Sequence, residues 1–381
     1  MNKAPALFEM MRQLIETPSV SCVDAAIDQS NQPVIDLLAN WLDQLGFETE
    51  IMPVSAGKSN LIATLGKGDG GLVLAGHTDT VPYDDDRWQH DPFKLTEADN
   101  RLYGLGTSDM KAFLALAIEA AVSFTKDQYK QPLIILATSD EETTMQGAKA
   151  LVDASRPRAR YAIIGEPTGM KPVRMHKGIL MEAIRITGLA GHSSNPALGH
   201  NALEAMHRVI SDLMQWREQL QQQYHDPLFE VPVPTMNFGH IHGGDNPNRI
   251  CGCCELHIDI RPLPGMSLDN LRSELNRRLQ DLFPENHFKL ETLPLFSGIP
   301  AMETAADSAL VQAAEKLTGF SAGSVAFGTE APYFNQLGME TVVLGPGNIE
   351  QAHQPDEYLQ LDRVQPTLDL LRQFIHQFCI H

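Results

Sequence analysis

Two histidines and a set of carboxylates stand at the ends of short apolar runs in this chain. His77 and Asp79 follow the run 71–76, the triplet Asp140-Glu141-Glu142 follows 132–138, and Glu166 follows 161–165. Asp109 comes after the glycine-bearing stretch Gly104-Leu105-Gly106, and His353 lies in the loop 347–355. Taken singly, a His or Asp in a loop is a capping or solvated group. Taken together, two imidazoles and three carboxylates can coordinate two divalent cations if one carboxylate bridges, and that donor set suits catalytic zinc. Spacing alone leaves both readings open.

The elements that must position these groups are read from periodicity. Leu7, Met10, Met11 and Leu14 keep helical spacing up to Thr17-Pro18, and Val34, Leu37, Leu38, Trp41, Leu42 and Leu45 do so up to Gly46. Short apolar runs lie at 60–65, 71–76, 132–138 and 161–165, those at 72–75 and 133–136 apolar on both faces as buried strands are, with helical patterns at 110–122 and 143–154 between them. This alternation predicts an α/β domain with a mainly parallel central sheet flanked by helices. In such sheets the carboxyl ends of the strands line the ligand crevice, so groups distant in sequence converge there.

Around Pro172 the pattern changes. Strands at 181–187, 235–240 and 254–261 alternate with helices at 200–224 and 267–282, the first five elements of the strand-helix-strand-strand-helix-strand order expected of a smaller, ferredoxin-like α+β insert. After about residue 294 the α/β character returns, with a helix near 308–317, a strand at 341–344 and a terminal helix from 364. The expected domains are therefore a discontinuous one, 1–175 with 291–381, and an insert, 176–290.

Composition narrows the function classes. The 381 residues are 43% hydrophobic and 20% charged with a net charge of −19, and no Lys/Arg cluster offers phosphates a basic face, so a nucleic-acid partner is not expected. The acidity reads first as a solvated surface, though it also suits cationic substrates. The first 16 residues lack an uninterrupted apolar segment, no run elsewhere could span a bilayer, and five cysteines in a long chain point to a reducing compartment. The expectation is a cytoplasmic protein without a membrane partner. Cys251 and Cys254 form a C-x-x-C pair, but no second pair accompanies it, and buried free thiols are the better reading.

The motifs resemble those of the zinc-dependent aminoacylases and exopeptidases, the family that also holds succinyl-diaminopimelate desuccinylase. They are Gly76-His77-Thr78-Asp79-Thr80-Val81-Pro82, Gly104 to Lys111, Asp140-Glu141-Glu142, Gly165-Glu166-Pro167-Thr168, Gly191-His192-Ser193-Ser194 and His353 to Glu357. The resemblance covers essentially the whole chain. It implies one metal on His77, Asp109 and Glu166 and a second on Asp109, Glu142 and His353, with zinc expected and cobalt accepted. It also implies Glu141 as general base, Asp79 orienting His77, His192 stabilising the oxyanion from the insert, and a homodimer formed through the insert, which would act as dimerisation and lid domain.

Gly243 to Ile250, Gly328-Thr329-Glu330-Ala331-Pro332 and Gly345-Pro346-Gly347 look more like the branch that hydrolyses N2-acetyl-L-ornithine to L-ornithine and acetate in arginine biosynthesis than like the desuccinylase branch. That hydrolysis of a small N-acyl amino acid is the expected activity. Arg249 would fork onto the substrate α-carboxylate, with Asn246 nearby, unless it only pairs with a neighbouring Asp. Gly345 and Gly347 either let backbone amides approach the ligand or form a turn. The alternatives are the desuccinylase, another N-acyl amino acid hydrolase or dipeptidase, and a catalytically silent metal-dependent binding protein.

Overall fold

The computed structural model describes residues 4–68, 70–285 and 287–381. The chain forms two compact units, Met1–Arg174 with Thr304–Gly323 and Thr329–His381, and Met175–Glu303 with Ser324–Gly328.

The first unit opens with α1 (Leu7–Ile15) and α2 (Gln32–Gln44), followed by β1 (Glu48–Ser55), β2 (Lys58–Leu65), β3 (Leu72–His77), β4 (Thr96–Ala98), β5 (Arg101–Tyr103), α3 (Lys111–Ala121), β6 (Leu133–Thr138), α4 (Gln146–Ala154), β7 (Tyr161–Ile164) and β8 (Val173–His176). The second holds β9 (Leu180–Thr187), α5 (Ala202–Gln223), β10 (Thr235–Gly243), β11 (Cys253–Arg261), α6 (Leu268–Leu282), β12 (Lys289–Pro294) and β13 (Met302–Glu303). The chain then adds α7 (Ala309–Thr318), β14 (Gly323–Val325), α8 (Ala331–Gln336), β15 (Glu340–Val343), β16 (Tyr358–Gln360) and α9 (Val364–Ile375).

The central sheet runs β1-β2-β6-β3-β7-β15-β8. Its middle is parallel, as the buried apolar runs require: β6, β3, β7 and β15 pair in one direction. Its flanks are antiparallel. β1 and β2 are joined through Ala56 and Gly57, whose φ is 76°, and a two-residue connection can only fold a strand back on its neighbour. β1 escapes an apolar-run reading because its residues are all half-buried or exposed.

α3 explains how this sheet is held. Every residue from Lys111 to Ala121 except Glu119 is buried, and the helix packs between β3 and β6 on one side and α1 and α9 on the other. Complete burial of Phe113, Leu114, Leu116 and Ile118 stabilises the unit by roughly 1.5–3 kcal/mol per side chain. Gly165 belongs to this contact, because a Cβ there would meet the Phe113 ring at 2.0 Å.

The second unit has the expected order, and its sheet β10-β11-β9-β12 is antiparallel throughout. The return to the first unit comes later than the expected residue 291. β12 completes the insert's sheet by pairing Lys289–Pro294 with β9, so the second unit continues to Glu303. Cys251 and Cys254 are buried free thiols, and β11 begins at Cys253, so Cys251 precedes the strand. Among the described residues no helix is long and apolar enough to cross a membrane.

His176, the last residue of β8, supplies a pH-dependent element of stability. It is fully buried, its Nδ1 lies 2.8 Å from the Lys177 carbonyl and its Nε2 has no partner. Burial pushes its pKa down to about 4. An unfolded His titrates near 6.5, so the unfolded chain binds the extra proton between those values. This contribution is therefore complete above about pH 6.5 and lost as pH falls towards 4. Between pH 7 and 5 the wild type should lose about 2 kcal/mol more unfolding free energy than His176→Phe. Parallel urea curves for the two proteins at both pH values would refute this assignment.

Candidate metal centre

β6, β3 and β7 are parallel neighbours, so their carboxyl ends deliver His77, the triplet after Thr138, and Glu166 to one edge of the sheet. Asp109 arrives just before α3, and His353 from the loop before β16. His77, Asp79, Asp109 and Glu166 are buried, Glu141 and Glu142 half-buried, and His353 exposed.

Asp109 sits between the two histidines. Its Oδ1 is 3.1 Å from His77 Nε2 and its Oδ2 3.6 Å from His353 Nε2, which is also 3.0 Å from Glu142 Oε2. Glu166 Oε2 lies 4.0 Å from His77 Nε2. Ligand atoms of His77, Asp109 and Glu142 fall within 4.8 Å of one another, as do those of His77, Glu141 and Glu166. Geometry alone therefore does not separate Glu141 from the ligand candidates.

Asp79 does two jobs. Its carbonyl accepts from His77 Nδ1 at 2.9 Å, which leaves Nε2 as the free lone pair facing Asp109. Its carboxylate, 3.7 Å from Nδ1, accepts the backbone N–H groups of Glu141 and Glu142 at 3.3 and 3.1 Å. Orientation of His77 is the role the family resemblance implied for Asp79; anchoring of the acidic triplet was not read from the sequence.

The electrostatics describe a pocket short of positive charge. Burial, reinforced by neighbouring carboxylates, raises Glu141 and Glu166 well above the usual carboxyl range, and burial with Asp109 raises Glu142. Burial opposes a charge on His77, yet Asp109, Glu166 and Asp79 pull its pKa well above the ordinary value. Burial likewise opposes the charge on Asp109, and the His77 hydrogen bond still holds it below its usual value. The hydrogen bond to Glu142 lifts His353 to about 9. Glu166 Oε1 is buried without a hydrogen-bond partner. Crowded carboxyl groups whose charge lacks compensation, an orphaned carboxylate oxygen and two imidazoles form a donor set that fits divalent cations.

Three supporting residues were not singled out from sequence. Glu357 is buried and accepts N–H bonds from Gly106, Ser108 and Asp109 at 3.1, 2.7 and 2.9 Å, which fixes the Asp109 loop; burial and Asp109 push it up to about 8. Lys111 is fully enclosed, donates to the Thr17 carbonyl at 2.9 Å and is lowered by burial to about 7. Glu330 is fully buried, its Oε2 accepts from Thr138 Oγ1 at 2.8 Å, and burial raises it to about 7. Glu357, Lys111 and Glu330 each lie inside a motif quoted above, which was the available signal.

Asp140 and His353 hold left-handed backbone, with φ of 55° and 58°, a conformation uncommon for non-glycine residues and sustained only by surrounding contacts. For Asp140 those contacts are Lys58 Nζ at 2.9 Å, which also binds Asp28 at 2.8 Å, and Ser21 Oγ at 3.0 Å. Lys58 and Asp140 are buried, so Lys58→Met should leave the Asp140 carboxylate without its counter-charge, cost about 3 kcal/mol of stability and slow turnover by loosening the triplet. A urea-derived loss under about 0.5 kcal/mol would remove this assignment.

Gly345 and Gly347 pack against the neighbouring loops. A Cβ at Gly345 would fall 2.1 Å from the Gly165 carbonyl, and one at Gly347 2.3 Å from Ser108 Oγ; the Gly345 amide donates to Thr168 Oγ1. His192, Asn246 and Arg249 belong to the second unit, where His192 and Arg249 bridge two backbone segments. His192 Nδ1 bonds Ser194 Oγ at 2.7 Å, and the exposed Arg249 pairs with Asp245 at 2.5 Å.

Comparison with known proteins follows the same lines. The chain is 52% identical over 379 residues to an acetylornithine deacetylase of Pectobacterium carotovorum subsp. carotovorum (strain PC1), covering 99% of each. It is 52% identical over 381 residues to the acetylornithine deacetylase of Pasteurella multocida (strain Pm70), covering all of both. In fold it is similar to the aminopeptidase PepT from Bacillus cereus ATCC 10987, with a TM-score of 0.76, 22% identity and 98% of each chain covered. The profile of peptidase family M20/M25/M40 matches residues 73–377, a span that holds every residue of the carboxylate and imidazole cluster, and the chain belongs to that family.

Proposed function

We propose that the protein is a metal-dependent amidohydrolase that cleaves N2-acetyl-L-ornithine to L-ornithine and acetate. The observation that carries the chemistry is the gathering of His77, Glu142, Glu166 and His353 around the buried Asp109 carboxylate, which approaches both histidines, with Glu141 beside them. The substrate rests on full-length relatives named for that activity. His77, Asp109 and Glu166 would hold one cation and Asp109, Glu142 and His353 a second, zinc by preference and cobalt as an accepted substitute. Such ions lower the pKa of water and polarise an amide carbonyl oxygen.

The chain's own groups do the rest. Glu141 takes a proton from the attacking water, whose oxygen adds to the acyl carbon. As the C–N bond breaks, Glu141 returns that proton to the leaving α-amine, and acetate departs. His192 donates to the developing oxyanion and Arg249, with Asn246 nearby, binds the α-carboxylate. The second unit supplies a homodimer contact, and the protein acts in the cytoplasm.

The deciding experiment measures free α-amine released from N2-acetyl-L-ornithine, N-succinyl-diaminopimelate and N-acetylmethionine by zinc- or cobalt-loaded protein. Acetylornithine should be turned over fastest. Preference for either other substrate keeps the mechanism and discards the substrate. Metal uptake with no hydrolysis at all favours a silent binding protein. Sedimentation as a monomer removes the dimer.

A further inference from the structure

Of the acids gathered at the sheet edge, one has no task in this chemistry. Asp109, Glu142 and Glu166 are matched to cations, Glu141 to proton transfer, Asp79 and Glu357 to backbone amides, and Asp140 to Lys58 and Ser21. Glu330 remains. Its side chain is fully shielded from solvent, one oxygen is held by Thr138 Oγ1 at 2.8 Å, and Oε1 has no hydrogen-bond partner. A carboxylate oxygen at that depth is costly unless a counter-charge reaches it.

Its position suits a substrate. Thr138 ends β6 three residues before Glu141, a chain distance of at most about 10 Å. The charge of Glu330 also acts on both Glu141 and Glu166. The ornithine side chain carries its ammonium roughly 5 Å beyond the α-carbon, a reach of the same order. Resting on the reaction proposed above, we infer that Glu330 is the specificity-determining residue for this substrate, its unpartnered Oε1 accepting the side-chain ammonium. Water does not screen a pair formed there, so the charge on the side chain becomes a strong selection criterion.

The test compares N2-acetyl-L-ornithine with N-acetyl-L-norvaline, which has the same carbon chain without the amine, in wild type and Glu330→Gln, which keeps the size and the Thr138 bond. Wild type should favour acetylornithine, and the ratio of the two kcat/KM values should fall by about 30-fold or more in Glu330→Gln. Calorimetry should show L-ornithine binding weakened about tenfold relative to L-norvaline, a readout independent of turnover. If the variant loses both substrates alike, or keeps the wild-type ratio, Glu330 is structural and the inference falls while the reaction stands. If wild type itself does not favour acetylornithine, the substrate reading falls and takes this inference with it. Glu330→Asp, which retracts the charge, should retain a ratio between wild type and Glu330→Gln; a ratio at or below that of Gln would overturn the role of the charge.

Discussion

Glu141→Ala should lower kcat for acetylornithine by about 10³-fold or more while the protein still takes up its metal. The half-buried side chain stands among His77, Glu142, Glu166 and Glu330, and burial with those carboxylates raises its pKa. Its backbone amide is held by Asp79 whatever side chain follows, and the triplet should therefore keep its course in the variant. Glu141→Asp should recover part of the rate, because the carboxylate remains but is withdrawn by one methylene. Metal content measured by atomic emission separates this role from ligation. A variant that is inactive only because it has lost its metal would make Glu141 a ligand, an option that its proximity to His77 and Glu166 leaves geometrically open.

Asp109→Ala should be as damaging for a different reason. Asp109 is the carboxylate that approaches both histidines, one through each oxygen. Its loss should empty both metal positions together and reduce activity by at least about 10³-fold, whereas His353→Ala should spare the position on His77 and Glu166. Chelation of the wild type should reproduce the inactivity and also lower Tm. A ligand at a hundred to a thousand times its Kd adds about 3–4 kcal/mol to the folded state. Two bound equivalents surviving in Asp109→Ala would refute the bridge.

The stripped protein should also acquire a pH dependence. Glu330 and Glu357 have folded pKa values of about 7 and 8, above the ordinary carboxyl value of 4.5. Each contributes stability that is complete below about pH 4.5 and lost as pH rises through its folded pKa, because the folded state keeps a proton the unfolded chain has released. Metal-free protein should therefore weaken from pH 5 to 8.5, and bound cations should flatten that slope. Thermal scans of both forms across that range measure it.

Much of this centre is legible in the amino-acid sequence. The apolar runs ending in His77, Asp140 and Glu166 already implied parallel strands delivering ligands to one edge, because two-sided burial and period-two geometry are written locally in side-chain type. The order of the insert was legible for the same reason. β1 was not, since a strand with no fully buried residue has no apolar run to reveal it. Nor was the true end of the insert, which depends on β12 finding β9 about a hundred residues upstream.

The sequence by itself determined which side chains can bind cations and which topology brings them together; the division of Glu141 and Glu142 between proton transfer and ligation is what the family resemblance implied. The tertiary structure decided the electrostatics. Whether Glu330, Glu357 and Lys111 are solvated charges or buried ones with shifted pKa values depends on what α3, α8 and the loop before β16 exclude from around them. Burial and counter-charge are sums over residues far apart in the chain, so no local pattern encodes them.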